Sequence, residues 1–183
     1  LSTAQNILSV REIRTSDIDL ITDYWLNADA AFLTGMGVEL SKMPSREEWT
    51  NMLREQILLP YTEKKSYCII WEIDNIPVGH SNINKIKFGE EAYMHLHLWR
   101  TAERKKGTGT AFVKMTIPYF FKNFDLNYLY CEPYALNPAP NKTLEKIGFE
   151  FVRECVTTPG WLNFEQNVKL WRLGKEDFLR KLN

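Results

Sequence analysis

The chain has 183 residues, 44% of them hydrophobic and 13% aromatic, enough to bury one substantial core in a single domain spanning residues 1–183. Its 23 basic residues balance 23 acidic ones, so no global field exists to hold nucleic acid or an anionic membrane. Cys68, Cys131 and Cys155 are odd in number and lack CxxC spacing, which argues against a disulfide framework and a thiol-rich metal site and fits a reducing cytoplasm. No basic segment followed by a long apolar one opens the chain, and no apolar run reaches the roughly 18 residues that span a bilayer, so a soluble, non-exported protein is expected.

Leu8 to Arg14 alternates and predicts a first strand. Ser16 or Asp17 is a candidate N-cap for a helix carrying Ile18, Ile21, Tyr24 and Trp25 on one face. Thr34-Gly35-Met36-Gly37 breaks that region, and Ser45 with Glu48 forms a capping box that starts a helix running to about Leu58. Ser66 to Asp74 and Ile76 to Lys87 read as a hairpin around Asp74-Asn75, and Ala92 to Trp99 continues the antiparallel sheet. Gly107 to Lys122 predicts a helix with Phe112, Met115, Tyr119 and Phe120 as core positions, kinked or ended early at Pro118. Leu126 to Cys131 reads as a short buried strand, Pro140 suits a helix start and Gly148 a helix end. Phe149 to Thr157 and Gln166 to Leu173 form a final antiparallel pair around the loop 158–164.

The run Arg104-Lys105-Lys106-Gly107-Thr108-Gly109-Thr110 is the most informative feature. It follows a strand and opens a helix, where unpaired N–H groups and the positive end of a macrodipole favour a phosphate, and glycine lets the backbone approach it. A solvated basic turn is the plain alternative. Downstream stands Asn137-Pro138-Ala139-Pro140-Asn141-Lys142-Thr143-Leu144-Glu145-Lys146-Ile147-Gly148-Phe149.

Together these segments resemble the GNAT superfamily of N-acetyltransferases, whose signature is Arg/Gln-x-x-Gly-x-Gly/Ala followed by an Asn-containing helix ending in a Lys-x-Gly-Phe type sequence. Arg104, Gly107 and Gly109 match the first element; Asn137, Lys146, Gly148 and Phe149 match the second. The opening Val10-Arg11-Glu12-Ile13-Arg14 and Pro44-Ser45-Arg46-Glu47-Glu48-Trp49 look like the bacterial branch that includes the ribosomal-protein N-terminal acetylators, and the similarity extends over residues 8 to 174. The resemblance implies an α/β fold with a mixed, mainly antiparallel central sheet flanked by helices. It further implies acetyl-CoA as the acetyl donor, without a metal, and a primary amine as acceptor, either a peptide N-terminus or a small amine. A cofactor site of Leu98, Trp99, Arg104, Lys105, Lys106, Gly107, Thr108, Gly109, Thr110, Asn137 and Lys146 follows from it. So does a monomeric or homodimeric enzyme.

Acetyl transfer from a thioester needs a neutral amine, a stabilised oxyanion and a proton for the departing thiolate. A base titrating near neutrality suits the first need, and histidine is the residue that supplies it. Period-2 geometry puts His95 and His97 with Tyr93 on one strand face and Met94, Leu96 and Leu98 on the other. The stretch also looks like the His-x-His strand of the arylalkylamine N-acetyltransferases, which makes His95, and then His97, the candidate base; each also has a purely structural reading. A shared metal ion would need a third ligand such as His80 or a cysteine. The family's strand commonly bulges near its end, which places the oxyanion donor at a backbone N–H near His97 or Leu98. Many family members carry tyrosine two residues before the lysine of Lys-x-Gly-Phe; here Leu144 stands there, and Tyr130 and Tyr134 are the candidate replacement acids. Trp25, Phe32, Met36 and Trp161 are candidate acceptor-binding residues, with Asp23, Asp29 and Glu39 as possible ammonium partners. A catalytically silent acyl-CoA sensor is the rival from another class.

Overall fold

The computed structural model describes residues 6–99 and 107–180. One sheet of seven strands runs through the molecule: β1 (Leu8–Glu12), β2 (Tyr67–Ile73), β3 (Ile76–Lys87), β4 (Glu91–Leu98), β5 (Tyr128–Cys131), β6 (Glu150–Thr157) and β7 (Gln166–Gly174), in the spatial order β1-β2-β3-β4-β5-β7-β6. Every neighbouring pair is antiparallel except β4 and β5, which are parallel. Such a parallel pair requires a crossover. It is supplied by α4 (Thr108–Phe124). The remaining helices are α1 (Ile18–Leu26), α2 (Ala30–Gly35), α3 (Arg46–Leu58), α5 (Pro138–Ile147) and α6 (Lys175–Arg180). The mixed, mainly antiparallel sheet flanked by helices is the architecture expected.

Strand alternation sorts the side chains into two cores. On β2, Tyr67, Ile69, Trp71 and Ile73 join the larger core with Phe112, Ile117, Phe120 and Phe124 of α4. Trp71 stacks on Phe112 with ring centres 5.2 Å apart. Cys68 and Ile70 face the opposite way, into a smaller core with Ile21, Trp25, Leu33 and Trp49 of the first three helices. Each fully buried large apolar side chain contributes roughly 1.5–3 kcal/mol.

Local signals explain the best-predicted elements. Asp74 and Asn75 both adopt positive φ, 51° and 62°, as a tight hairpin turn between β2 and β3 requires. Ser45 and Glu48 exchange the reciprocal bonds of a capping box at the start of α3. Gly148 ends α5 in the left-handed region at φ 97°.

Several expectations are corrected. β1 ends at Glu12, because Arg14 turns into a 3-10 segment, Thr15–Asp17, fastened by Arg14 N–H donating to Asp17 Oδ2 at 2.7 Å. Asp17 does not cap α1 with its side chain; the carboxylate is taken by Arg11, which donates to Oδ2 at 2.6 Å and Oδ1 at 2.9 Å while its Nε reaches Glu72 at 2.7 Å. The break at residues 34–37 is sharper than read: Asp29 caps α2 by accepting from Ala31 N and Phe32 N, and the chain turns at Gly37, φ 85°. Pro118 does not end α4, which continues to Phe124. Burial of Ile117, Phe120, Phe121 and Phe124 offsets the lost backbone bond. Met115 is exposed, since the buried stripe of α4 follows Phe112, Thr116 and Phe120 instead; Tyr119 packs at the core's edge.

Candidate active site

The parallel pairing of β4 with β5 stops after Tyr93↔Tyr130. Beyond it the two strands part, and a cavity of about 90 Å³ opens between Leu96 and His95 on one side and Cys131, Pro133 and Asn137 on the other. A second cavity of about 180 Å³ lies between the His-bearing face of the sheet and the helices α1 and α3, roofed by the loop 160–163. Met36, His95, His97 and Asn163 line both. The two histidines therefore stand in the partition between the gap and the cleft.

His95 hydrogen-bonds through Nε2 to Asn84 Oδ1 at 3.1 Å on β3. That carbonyl oxygen accepts, so Nε2 carries the proton and Nδ1 keeps its lone pair. Burial, aided by the charge of Lys85, pulls His95 down to about 4. The near-neutral titration expected from sequence is thus not found, and the ring is neutral across the physiological range. His97 lies among rings: Tyr24 Oη is 3.3 Å from its Nδ1, the Trp25 ring is 4.9 Å away edge-on, and His80 stacks at 4.6 Å. Burial first, and then His80 and His95, hold His97 well below its ordinary value. His80, buried beneath them, is pulled down to about 3 for the same leading reason. No described group of three or more His, Cys, Asp or Glu is arranged to hold a metal ion.

The expected bulge near His97 and Leu98 is not there. The β3–β4 register is unbroken from Gly79↔Leu98 to Asn84↔Tyr93, and the irregularity falls between Asn84 and Lys87, where Lys85 takes φ 48°. Tyr130 stacks on Tyr93 at 5.2 Å, and Tyr134 packs edge-on against Phe164 at 5.9 Å; neither lines the gap or the cleft. Leu144 is wholly buried in the larger core.

At the cofactor positions, Gly107 precedes α4 with φ 79°, and a Cβ built on Gly107 or Gly109 meets nothing within 4 Å. Among the described residues, the space beside these two glycines at the start of α4 is thus unfilled, a setting in which a helix N-terminus can receive a phosphate. Arg104, Lys105 and Lys106 lie outside the described residues. Asn137 is the N-cap residue of α5 and lines the gap. Lys146 is exposed in the last turn of the same helix, about 13 Å farther along its axis, and is not brought to the gap. Leu98 packs against the larger core, and Trp99 turns to the other face of the sheet, where its Nε1–H donates to His80 Nδ1 at 2.7 Å.

The acceptor-side residues assemble better. Trp25, Met36 and Trp161 all line the cleft; Phe32 packs against Tyr24 outside it. Trp25 stacks on Trp49 at 5.7 Å, and Trp161 lies 5.7 Å beyond Trp49. Trp49 and Tyr24, named from sequence only in a motif and on a helix face, were not among the candidate site residues, nor was Asn84; Tyr24 and Asn84 contact the two histidines. The three possible ammonium partners are committed elsewhere: Asp23 to Arg46, Asp29 to its helix cap, and Glu39 to Ser41. Two loops close the wall. Gln166 Nε2 and Asn163 Nδ2 each donate to Gly37 O at 2.9 Å, Glu39 N donates to Leu162 O at 2.8 Å, and Lys42 Nζ to Asn163 O at 2.7 Å.

Residues 8–150 match the family model described as an acetyltransferase (GNAT) domain. The chain belongs to the GNAT acetyltransferase family. Among solved structures, a ribosomal L7/L12 alpha-N-protein acetyltransferase, RimL, in complex with coenzyme A is similar at TM-score 0.76 and 16% identity, covering 96% of this chain and 98% of that one. Spermidine N-acetyltransferase from Vibrio cholerae in complex with CoA and spermine is similar at TM-score 0.76 and 16% identity, covering 94% and 98%. An uncharacterized protein from Bacillus halodurans gives TM-score 0.71 at 13% identity, covering 96% and 88%. At these identities the likeness is one of fold. A curated protein, the lutropin-choriogonadotropic hormone receptor of Sus scrofa, is 22% identical over 153 residues, and the chain spans about a fifth of that relative's length. No helix among the described residues is long and apolar enough to cross a membrane.

Proposed function

We propose that this GNAT domain is an N-acetyltransferase that moves the acetyl group of acetyl-CoA to a primary amine by direct transfer, working as a single domain in the cytoplasm. One observation carries the reading: His95 and His97 line both the β4–β5 gap, whose far wall includes the N-cap Asn137 of α5, and a separate cleft large enough for an amine. A donor on one side and an acceptor on the other meet at these two rings. Acetyl-CoA supplies a thioester carbonyl in the gap.

His95 Nδ1 takes the proton of the incoming ammonium, directly or through water, and passes it on; with its affinity for protons lowered by burial, it does not retain the charge. The freed nitrogen attacks the carbonyl carbon, the C–S bond breaks, and coenzyme A leaves as the thiolate, to be protonated to the thiol. In balance, one ammonium and one thioester give one amide, one thiol and one proton. Direct transfer is favoured over an acetyl-enzyme because burial raises the thiols of Cys68 and Cys131 far above the ordinary cysteine range, and Cys131 Sγ lies 2.9 Å from Met94 O. The similar structures act on a ribosomal protein N-terminus and on spermidine, which mark the two ends of the acceptor range.

The test is thiol release from acetyl-CoA with a panel of peptide and small amines, followed by mass spectrometry of the acetylated product. A second reading, CoA binding without turnover, is favoured by the absence of Tyr130 and Tyr134 from both cavities and the burial of Leu144. Saturable CoA binding with no acetylation of any amine establishes that second reading.

A further inference from the structure

Among the described residues, no formally charged side chain lines the amine cleft. Its described lining comes from apolar side chains such as Ile21, Met36 and Leu53, from Trp25, Trp49 and Trp161, and from neutral polar groups, among them Asn82, Asn84 and Asn163; no Asp, Glu, Lys or Arg takes part. The three histidines at the cleft and beneath it are held neutral by burial. Acids on the segments around it have partners of their own: Asp17 and Glu72 bind Arg11, Glu48 binds Ser45, Glu132 binds Lys85 and Glu39 accepts from Ser41.

Two further observations describe what fits. At about 180 Å³ the cleft has room for one ring-sized group, since an apolar cavity of about 150 Å³ takes up benzene. Trp49, whose buried indole Nε1–H has no hydrogen-bond partner among the described residues, is one of the residues lining the cleft. A buried donor without an acceptor is rare in native proteins, and a ligand oxygen that reached it would complete its bonding.

We infer that the acceptor is a monoamine whose body is an uncharged, ring-sized apolar group with a neighbouring carbonyl-type oxygen, and that polyamines are not accepted. One ammonium can rest against the indole faces until it gives up its proton. The second and third charges of a polyamine would be stripped of water with no carboxylate to receive them. An N-terminal aromatic or large aliphatic residue and a free amino-acid amide share the chemistry required. This rests on the amine-acetylation reading but is tested apart from it.

The experiment is isothermal calorimetry on the CoA-loaded protein, so that binding is read without turnover, using L-phenylalaninamide, glycinamide and spermidine. Phenylalaninamide should bind at least about tenfold more tightly than either of the others, and Trp161→Ala should weaken it by about the same factor. Met52→Glu, which puts a carboxylate at the cleft wall, should reverse the order by favouring spermidine. Equal or tighter binding of spermidine to the wild type overturns the inference, as does glycinamide matching phenylalaninamide. Phenylalaninamide that binds as stated but is never acetylated overturns the transfer reading and leaves the acceptor class standing.

Discussion

His80 accepts at Nδ1 a 2.7 Å hydrogen bond from the indole Nε1–H of Trp99. Because an indole can only donate, the bond fixes the His80 tautomer with its proton on Nε2. His80 in turn stacks on His97, whose Nδ1 lies 3.3 Å from Tyr24 Oη. A residue at the end of β4 thus sets the electrostatics under the amine cleft from below the sheet surface.

Trp99→Phe should cost about 1–3 kcal/mol, because it keeps an aromatic ring but leaves a buried acceptor unpaired. Urea denaturation measures the cost. Nitrogen chemical shifts of the His80 ring should show loss of the single tautomer in the variant; retention of one tautomer with unchanged stability would remove Trp99 from this role.

His95→Ala should reduce turnover with the best amine by roughly 10²–10⁴-fold, the usual contribution of a general base, while leaving CoA affinity unchanged. Since burial pulls this ring down to about 4, the wild-type rate should show no His95 limb between pH 6 and 8. Its acid limb belongs near pH 4 instead. An equal loss of CoA binding in the variant would assign His95 to structure.

The three depressed histidines also predict how stability follows pH. Each has an ordinary value of 6.5 and a lower one in the fold, with His95 at about 4 and His80 at about 3. Between those values the unfolded chain binds protons that the folded chain refuses, so stability is full above about 6.5 and falls as pH drops, by up to about 1.4 kcal/mol per pH unit for each ring. Denaturation midpoints at pH 7.5, 6 and 5 test this. His80→Gln should make the decline shallower, and a flat wild-type profile would contradict the burial of these rings.

Gly109→Trp should abolish CoA binding without loss of fold, because no atom of the described residues lies within 4 Å of a Cβ at Gly109. Gly37→Ala should behave oppositely. Its Cβ would collide with the Gln166 amide, and its φ of 85° is strained for any L side chain, so stability rather than CoA affinity should fall. Calorimetry with CoA and thermal melts distinguish the pair.

What sequence revealed was whatever is encoded locally. The Asp74-Asn75 turn, the Ser45–Glu48 box and the glycine-flanked start of α4 each declare themselves within a few residues, and the alternation of β4 correctly put His95 and His97 on one face. The site's chemistry was hidden because it depends on distant partners. Nothing near Asp17 announces that Arg11 and the Arg14 amide will consume its carboxylate, and nothing near His95 announces its burial. Trp25, Trp49 and Trp161 come from three separate segments, so their common wall exists only after the sheet and helices are assembled.

The hydrogen bonds between residues 37–42 and 162–166 tie the chain before α3 to the chain before β7 through side chains and backbone alike. These two stretches, more than a hundred residues apart in sequence, are joined into one wall of the cleft. Displacing the loop that carries Trp161 breaks those bonds together or moves both stretches together. The amides of Glu39 and Phe164 should then exchange with solvent at a shared opening free energy.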